Sequence, residues 1–157
     1  MRRLVVTAAV LLVLALPLAY VVRGVRTKDP RFLDRFIRLQ RDVLNRGMMT
    51  AAGRTNSPIA VIEHIGRSSG RSYETPVTAF REGDDWVIGL PYGPEVSWAK
   101  NVLTAGEAVL RIDGDRHVVN GVRVVPIAST ALATRMSAVI RLFGVESAMV
   151  LHDASVR

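Results

Sequence analysis

The chain has 157 residues, no cysteine and a formal charge of +7 from 21 Lys+Arg against 14 Asp+Glu. That length fits one domain with a core of its own. The missing cysteine excludes disulfides, thiolate catalysis and Cys-ligated metal sites together. The charge is unevenly placed: +2 in residues 1–22, +6 in residues 23–54 and −1 in residues 55–157. The last two-thirds therefore lack the basic footprint that phosphate backbones require, and no nucleic-acid partner is expected.

Leu4 to Val22 is a run of 19 residues without a charge. As a helix rising about 1.5 Å per residue it reaches about 28 Å, against about 30 Å for a bilayer core. Three readings compete. A single-pass membrane anchor is favoured by length. A cleaved secretory signal is second, with Arg2 and Arg3 as its basic start, but the run exceeds the usual apolar region and no A-x-A site precedes Arg23. A buried core helix is third, because no polar face interrupts the run. Arg23, Arg26, Lys28, Arg31, Arg35, Arg38 and Arg41 outnumber Arg2 and Arg3. The positive-inside rule then places the C-terminal domain on the cytoplasmic side of the cell membrane.

Asp29 to Met49 is amphipathic. Phe32, Phe36, Leu39 and Val43 share one helical face, and Arg31, Asp34, Arg35, Arg38, Arg41 and Asp42 take the other. Asp29 suits the N-cap, Pro30 the first turn and Gly47 the stop. Such a helix can pack on the domain while its arginines face anionic lipid. The expected organisation is thus 1–28 as anchor and basic flank, 29–53 as amphipathic helix, and 54–157 as a β-rich domain.

In that domain Ile59–His64, Tyr73–Arg81 and Trp86–Leu90 are expected strands, the last two joined by a Glu82-Gly83-Asp84 hairpin turn. Ser97–Ala105 is an expected helix stopped by Gly106. Ala108–Ile112, His117–Val119 and Val122–Val125 are further strands, and Ile127–Phe143 a helix. The tail after Gly144 carries no clear pattern. Short strands with tight turns point to a small antiparallel barrel or sheet, α+β in class, rather than a doubly wound fold. No Rossmann or Walker glycine pattern is present.

Two stretches could carry chemistry. The first is His64-Ile-Gly-Arg-Ser-Ser-Gly-Arg-Ser72, between two expected strands. Its glycines allow close approach of a ligand, successive N–H groups can cradle an anion, and Arg67 and Arg71 add charge. An ordinary polar hairpin loop is the competing reading. The second is Leu90 to Asn101, where a strand ends, turns through Pro91–Pro94 and enters a helix. Trp98 and Asn101 lie three apart and share a helical face. There the competing reading is a core tryptophan. His64, His117 and His152 lack metal-ligand spacing, and no metal is expected. A triad of Ser97, His64 and Glu63 can be drawn on paper, but no G-x-S-x-G supports it.

In order and spacing, G-R-S-S-G, then T-P-V at 75–77, then a hairpin, then Y-G-P-x-x-x-W-x-x-N-V-L-x-A-G over 92–106 resembles the deazaflavin-dependent nitroreductase family. The resemblance spans residues 32–145 and is strongest from Gly66 to Gly106. It implies a split β-barrel of the antiparallel, flavin-reductase-like kind with flanking helices, here preceded by the transmembrane helix. It implies an oxidoreductase that passes hydride from reduced coenzyme F420 to a quinone, a nitro compound or an activated alkene, with FMN the second choice of cofactor. A phosphate-binding loop would comprise Arg67, Ser68, Ser69, Gly70 and Arg71. Tyr73, Thr75, Pro76, Val77 and Thr78 would continue the site along the next strand. Leu90, Pro91, Tyr92 and Gly93 would line the deazaflavin, and Ser97, Trp98 and Asn101 would close over it. Tyr92 is the candidate proton donor.

Some members carry Lys or Arg where this chain has Ser68, Tyr73 and Gly93, and Arg71 and Lys100 are candidate replacements for contacts to the phosphorylated, glutamylated coenzyme tail. The anchor suits a small-molecule acceptor of menaquinone type and contact with membrane lipid. The alternative on the same barrel is a non-enzymatic binder of a lipid or a flavin-like ligand.

Overall fold

The computed structural model describes residues 16–39, 52–54, 57 and 59–155. Most of the charge-free run, residues 4–15, and the second half of the amphipathic stretch, residues 40–49, lie outside these. Among the described residues no helix is long and apolar enough to cross a membrane.

Residues 16–27 are helical (α1). α2 follows over Pro30–Leu39, with Asp29 Oδ1 accepting from the Arg31 amide at 2.9 Å as an N-terminal cap does. The strands are β1 (Ala60–Ile65), β2 (Ser72–Val77), β3 (Ala79–Glu82), β4 (Asp85–Gly89), β5 (Ala108–Ile112), β6 (Asp115–Pro126) and β7 (Ser147–Asp153). α3 is Ser97–Ala105 between β4 and β5. A 3₁₀ turn at Ile127–Ser129, α4 (Leu132–Arg135) and α5 (Ser137–Phe143) lie between β6 and β7.

The seven strands among the described residues form one sheet in the order β2-β1-β5-β6-β7-β4-β3, and their pairings are antiparallel. The two outermost strands, β2 and β3, are consecutive in the chain with only Thr78 between them. Two Cα steps span about 7 Å at most. The edges of the sheet must therefore meet at Thr78, and the sheet curls into a barrel with a seam there. This is the antiparallel barrel with flanking helices that the sequence leads one to expect.

The barrel interior holds Ala60, Ile62, Val77, Ile88, Leu90, Leu110, Val119, Met149 and Leu151, plugged by Ala99 and Val102 of α3. A second apolar layer covers the outer face of β4 and β7. There Val87, Ala148 and Val150 pack under Leu132 of α4, with Met136, Ile140 and Phe143 against them. Both faces of β4 and β7 are thus buried.

Four elements differ from expectation. The expected strand Tyr73–Arg81 is two strands, because the chain changes from one sheet edge to the other at Thr78. Pro76, which has no N–H to donate, sits on the edge strand β2, where proline is tolerated. His117–Val119 and Val122–Val125 are one long β6, with a register shift between Asn120 and Arg123 and Gly121 at φ +58° taking the irregularity. Ile127–Phe143 is broken at Met136, whose φ/ψ of −121°/29° is not helical. The tail after Gly144 is a strand in the heart of the sheet, with β6 on one side and β4 on the other.

Candidate active site at the barrel seam

Strand β1 alternates, so Ala60, Ile62 and His64 face inward and Glu63 faces out. His64 pairs with Tyr73 on β2, and Ile62 with Thr75. His64 is 6% exposed. Its Nδ1 lies 3.2 Å from Asn101 Nδ2 and its Nε2 lies 3.1 Å from Thr75 Oγ1. The imidazole also stacks on the Tyr73 ring, with centroids 5.9 Å apart. Glu63 binds Arg111 and Arg116 on the outer face. The paper triad of Ser97, His64 and Glu63 is therefore not assembled.

The loop after β1 is built to be tight. Gly66 N donates to Arg71 O, and Gly70 N donates to Gly66 O. A Cβ on Gly66 would strike Ser69 Oγ and come within 2.7 Å of Tyr73 Cε2, so any larger residue there would have to push both side chains aside. Arg67, Ser68, Ser69, Gly70 and Arg71 are all exposed. Ser69 Oγ accepts from the Arg71 amide at 3.3 Å and lies 3.2 Å from the Tyr73 hydroxyl. Arg67 is tied to α3: its backbone N donates to Asn101 Oδ1 at 3.2 Å, its Nη1 donates to the same oxygen at 2.8 Å, and Nη1 reaches Ser97 O at 3.4 Å. Among the described residues the other guanidinium donors of Arg67 meet no acceptor, so they can meet an anion. Lys100 is ion-paired with Glu95.

From this loop, β2 and α3 both lead to a cavity of about 410 Å³ at the seam, a size usual for a cofactor or ligand pocket. Pro76, Val77, Thr78, Leu90, Pro91, Tyr92, Gly93 and Trp98 line one side. Val21, Val25, Phe36, Leu132, Met136, Val139, Ile140 and Phe143 line the other. None of the described lining residues carries a formal charge. Tyr92 faces Phe36 edge-on, with ring centroids 6.0 Å apart.

The expected site residues therefore fall into two connected groups. Arg67–Arg71, Tyr73, Ser97 and Asn101 form a polar, cationic mouth. Pro76–Thr78, Leu90–Gly93 and Trp98 form an apolar chamber wall, with Thr75 on the strand between them. The Asn101 amide does not reach into the chamber, because both its ends are engaged by Arg67 and His64. Three contributors were not among the expected coenzyme-site residues. His64 was legible as the start of the loop stretch and as a member of the paper triad, not as the partner of Asn101. Val21 and Val25 lie within the expected anchor.

A sequence profile of the F420H(2)-dependent quinone reductase family matches residues 36–141. The chain belongs to this family. No curated protein matches it. Among solved structures, an F420-H2 dependent reductase (FDR-A) is 12% identical with a TM-score of 0.41, the match covering 60% of this chain and 94% of that one. An F420 reductase is 9% identical at a TM-score of 0.46, covering 61% and 86%. A candidate pyridoxamine 5′-phosphate oxidase from Listeria innocua is 8% identical at 0.47, covering 62% and 84%.

Membership makes the protein an F420-dependent oxidoreductase. The residues present fit the coenzyme. An anionic tail needs donors and positive charge, which the exposed 66–71 loop offers with Arg67 and Arg71. A flat, largely apolar ring system needs the uncharged chamber beside Trp98 and Leu90–Gly93.

Proposed function

We propose that this protein is a membrane-held reductase that uses coenzyme F420 to reduce a quinone of menaquinone type, with its catalytic domain on the cytoplasmic side. The observation that carries the reading is the composition of the chamber. One wall belongs to the barrel, the other is apolar throughout, and no described lining residue is charged. Such a space favours a neutral, ring-shaped acceptor with an apolar extension over a charged metabolite.

When bound, the reduced coenzyme supplies a hydride. The protein's part is to hold the two rings in contact and keep water away. Trp98 and Leu90–Gly93 form the surface on which a ring can lie. Arg67 and Arg71 hold an anionic tail outside, where water can still reach it. A quinone that accepts a hydride needs one proton to become a hydroquinone. Tyr92, on the chamber wall, is the residue proposed to deliver it.

Membrane attachment rests on the 19-residue charge-free run and on exposed Leu16, Leu18 and Tyr20 on α1. Shortening the chain separates attachment from catalysis. Deleting residues 1–15 leaves too little of the run to span a bilayer but keeps Val21 and Val25. We expect this form to reduce a short-chain, water-soluble quinone as the full chain does, and to lose most turnover of a long-chain quinone held in vesicles. Equal turnover of the vesicle-bound quinone by both forms sinks the anchor. No F420-dependent reduction of either quinone by the full chain sinks the acceptor assignment.

A further inference from the structure

His64 belongs to no part of the reaction described above, yet it is buried at the root of the coenzyme-binding mouth. Its hydrogen bonds fix its chemical state. Arg67 presents only donors, through its backbone N and Nη1, and both meet one side-chain atom of Asn101. That atom must be the amide oxygen. The NH₂ group of Asn101 then faces His64 Nδ1, which must accept. The ring proton therefore sits on Nε2 and donates to Thr75 Oγ1. One continuous chain runs Thr75, His64, Asn101, Arg67, and each link has a defined direction.

We propose that His64 is a positioning residue that sets the coenzyme-gripping loop through Asn101, and that it does so only as the neutral Nε2–H tautomer. A second proton on Nδ1 would oppose the Asn101 NH₂ with another donor. Turning the amide over would then oppose NH₂ to both donors of Arg67. Neither orientation satisfies the chain, so Arg67 and the 66–71 loop lose their tie to Asn101, and only the longer Arg67 Nη1 contact to Ser97 O, 3.4 Å, still links them to α3. A charged imidazole would also stand one amide away from the Arg67 guanidinium.

The surroundings favour the neutral form. Burial of the ring pushes its pKa below the ordinary histidine value. From β2 the ring meets the Thr75 hydroxyl and the face of the Tyr73 phenol, whose hydroxyl lies against Ser69. From α3 it meets the Asn101 amide, and from the loop, through that amide, Arg67. The nearby carboxylates Glu63 and Glu74 are on the opposite face of the sheet, bound to Arg111 and Arg116. No described contact offers a charged imidazole a counter-ion.

The proposal rests on the loop holding the anionic tail of coenzyme F420, and the test keeps the two ideas apart. The full chain and the variants His64→Gln and His64→Leu are titrated with oxidised coenzyme F420 at pH 8 and pH 5, following fluorescence quenching. Hydrogen exchange of the Arg67 amide is measured without coenzyme. Glutamine can accept from Asn101 and donate to Thr75 but cannot titrate. His64→Gln is expected to bind within about threefold of the parent at pH 8, and to show only the coenzyme's own pH dependence. His64→Leu is expected to weaken binding about tenfold at pH 8 and to expose the Arg67 amide to exchange. The parent is expected to weaken between pH 8 and pH 5 by about tenfold more than His64→Gln does.

A parent and a Gln variant with parallel pH profiles overturn the proposal. So does a Leu variant with the parent's affinity and the parent's amide protection. Should His64→Leu fail to fold, the Gln comparison alone decides. If the parent binds no coenzyme even at pH 8, the coenzyme assignment fails. Amide protection at pH 8 and pH 5, compared between the parent and His64→Gln, then still decides the role of His64.

Discussion

Arg67 and Asp153 show two ways a charged side chain is used in this fold. Arg67 is exposed and spends part of its guanidinium on Asn101 and Ser97, leaving other donors for an anion. Arg67→Gln keeps a donor for Asn101 but loses the charge. It should raise the dissociation constant for coenzyme F420 about tenfold or more, since hydrogen bonds to charged groups contribute about 1.5–3 kcal/mol. The unfolding midpoint should barely move. Equal affinity, measured by fluorescence quenching, would remove Arg67 from the mouth.

Asp153 is the opposite case, with 0% exposure. It accepts from the Ser155 amide, Trp86 Nε1 and Arg81. His117 Nδ1 lies 2.9 Å away but out of line for a hydrogen bond. Burial alone would raise the Asp153 pKa. The hydrogen bonds from Ser155, Arg81 and Trp86 outweigh it and hold the carboxyl well below the usual carboxylate range. A depressed folded-state value stabilises the protein above the unfolded-state value, about 4, and this is lost as pH falls further. Asp153→Asn should cost about 3 kcal/mol, near the low end for a broken buried pair, because the Arg81 side chain keeps 32% of its exposure. Urea unfolding should also show a shallower loss of stability between pH 4 and pH 2 than in the parent. A variant as stable as the parent, with the same acid profile, would contradict this account.

Elements were legible where a local pattern decided them and illegible where topology did. α3 and β5 match their expected bounds because helix stop and turn signals at Gly106 and Gly114 are local. The 66–71 loop and the Trp98/Asn101 face were visible as spacing, and both lie at the site. Whether Asn101 reaches a ligand or a neighbouring arginine depends on the loop after β1, where Arg67 lies 34 residues away, which spacing cannot show. The break at Thr78 is likewise non-local, because it records which sheet edge each half joins. β7 was missed for a physical reason. Buried on both faces, it shows a run of Ala148, Met149, Val150 and Leu151 instead of an alternation. That run joins β6 to β4, so losing part of it should be felt across both halves of the barrel. Leu151→Ala removes a fully buried side chain from the interior and should cost about 2–5 kcal/mol. The effect should appear as a lower urea midpoint. A change under about 1 kcal/mol would mean that β7 does not seal the barrel core.

At the scale of the whole molecule, the chamber is shared between the barrel and an N-terminal arm, residues 16–39. The family match begins at residue 36, so Val21 and Val25 lie outside the matched segment yet line the same chamber. The arm's polar ties are exposed ones: Lys28 with Glu146, and Arg26 Nη1 donating to Arg141 O. Such ties contribute little each, from zero to about 1 kcal/mol. The seat of the arm must then be apolar, and Val25, 1% exposed, is the arm's buried apolar side chain. Burying a valine contributes about 1.5–3 kcal/mol, and a carboxylate placed there would have no partner in an uncharged wall. Val25→Asp should therefore lift the arm while leaving the barrel folded. Trypsin should cut at Arg23, Arg26 and Lys28 at least tenfold faster. The KM for a soluble short-chain quinone should rise by a similar factor, because the acceptor loses one wall of its chamber. The affinity for coenzyme F420 should stay within about twofold, since Arg67, Arg71 and Trp98 belong to the barrel. Faster cutting with an unchanged KM would show that the arm covers the chamber without forming the acceptor's binding surface. Unchanged cutting would show that Val25 does not hold the arm.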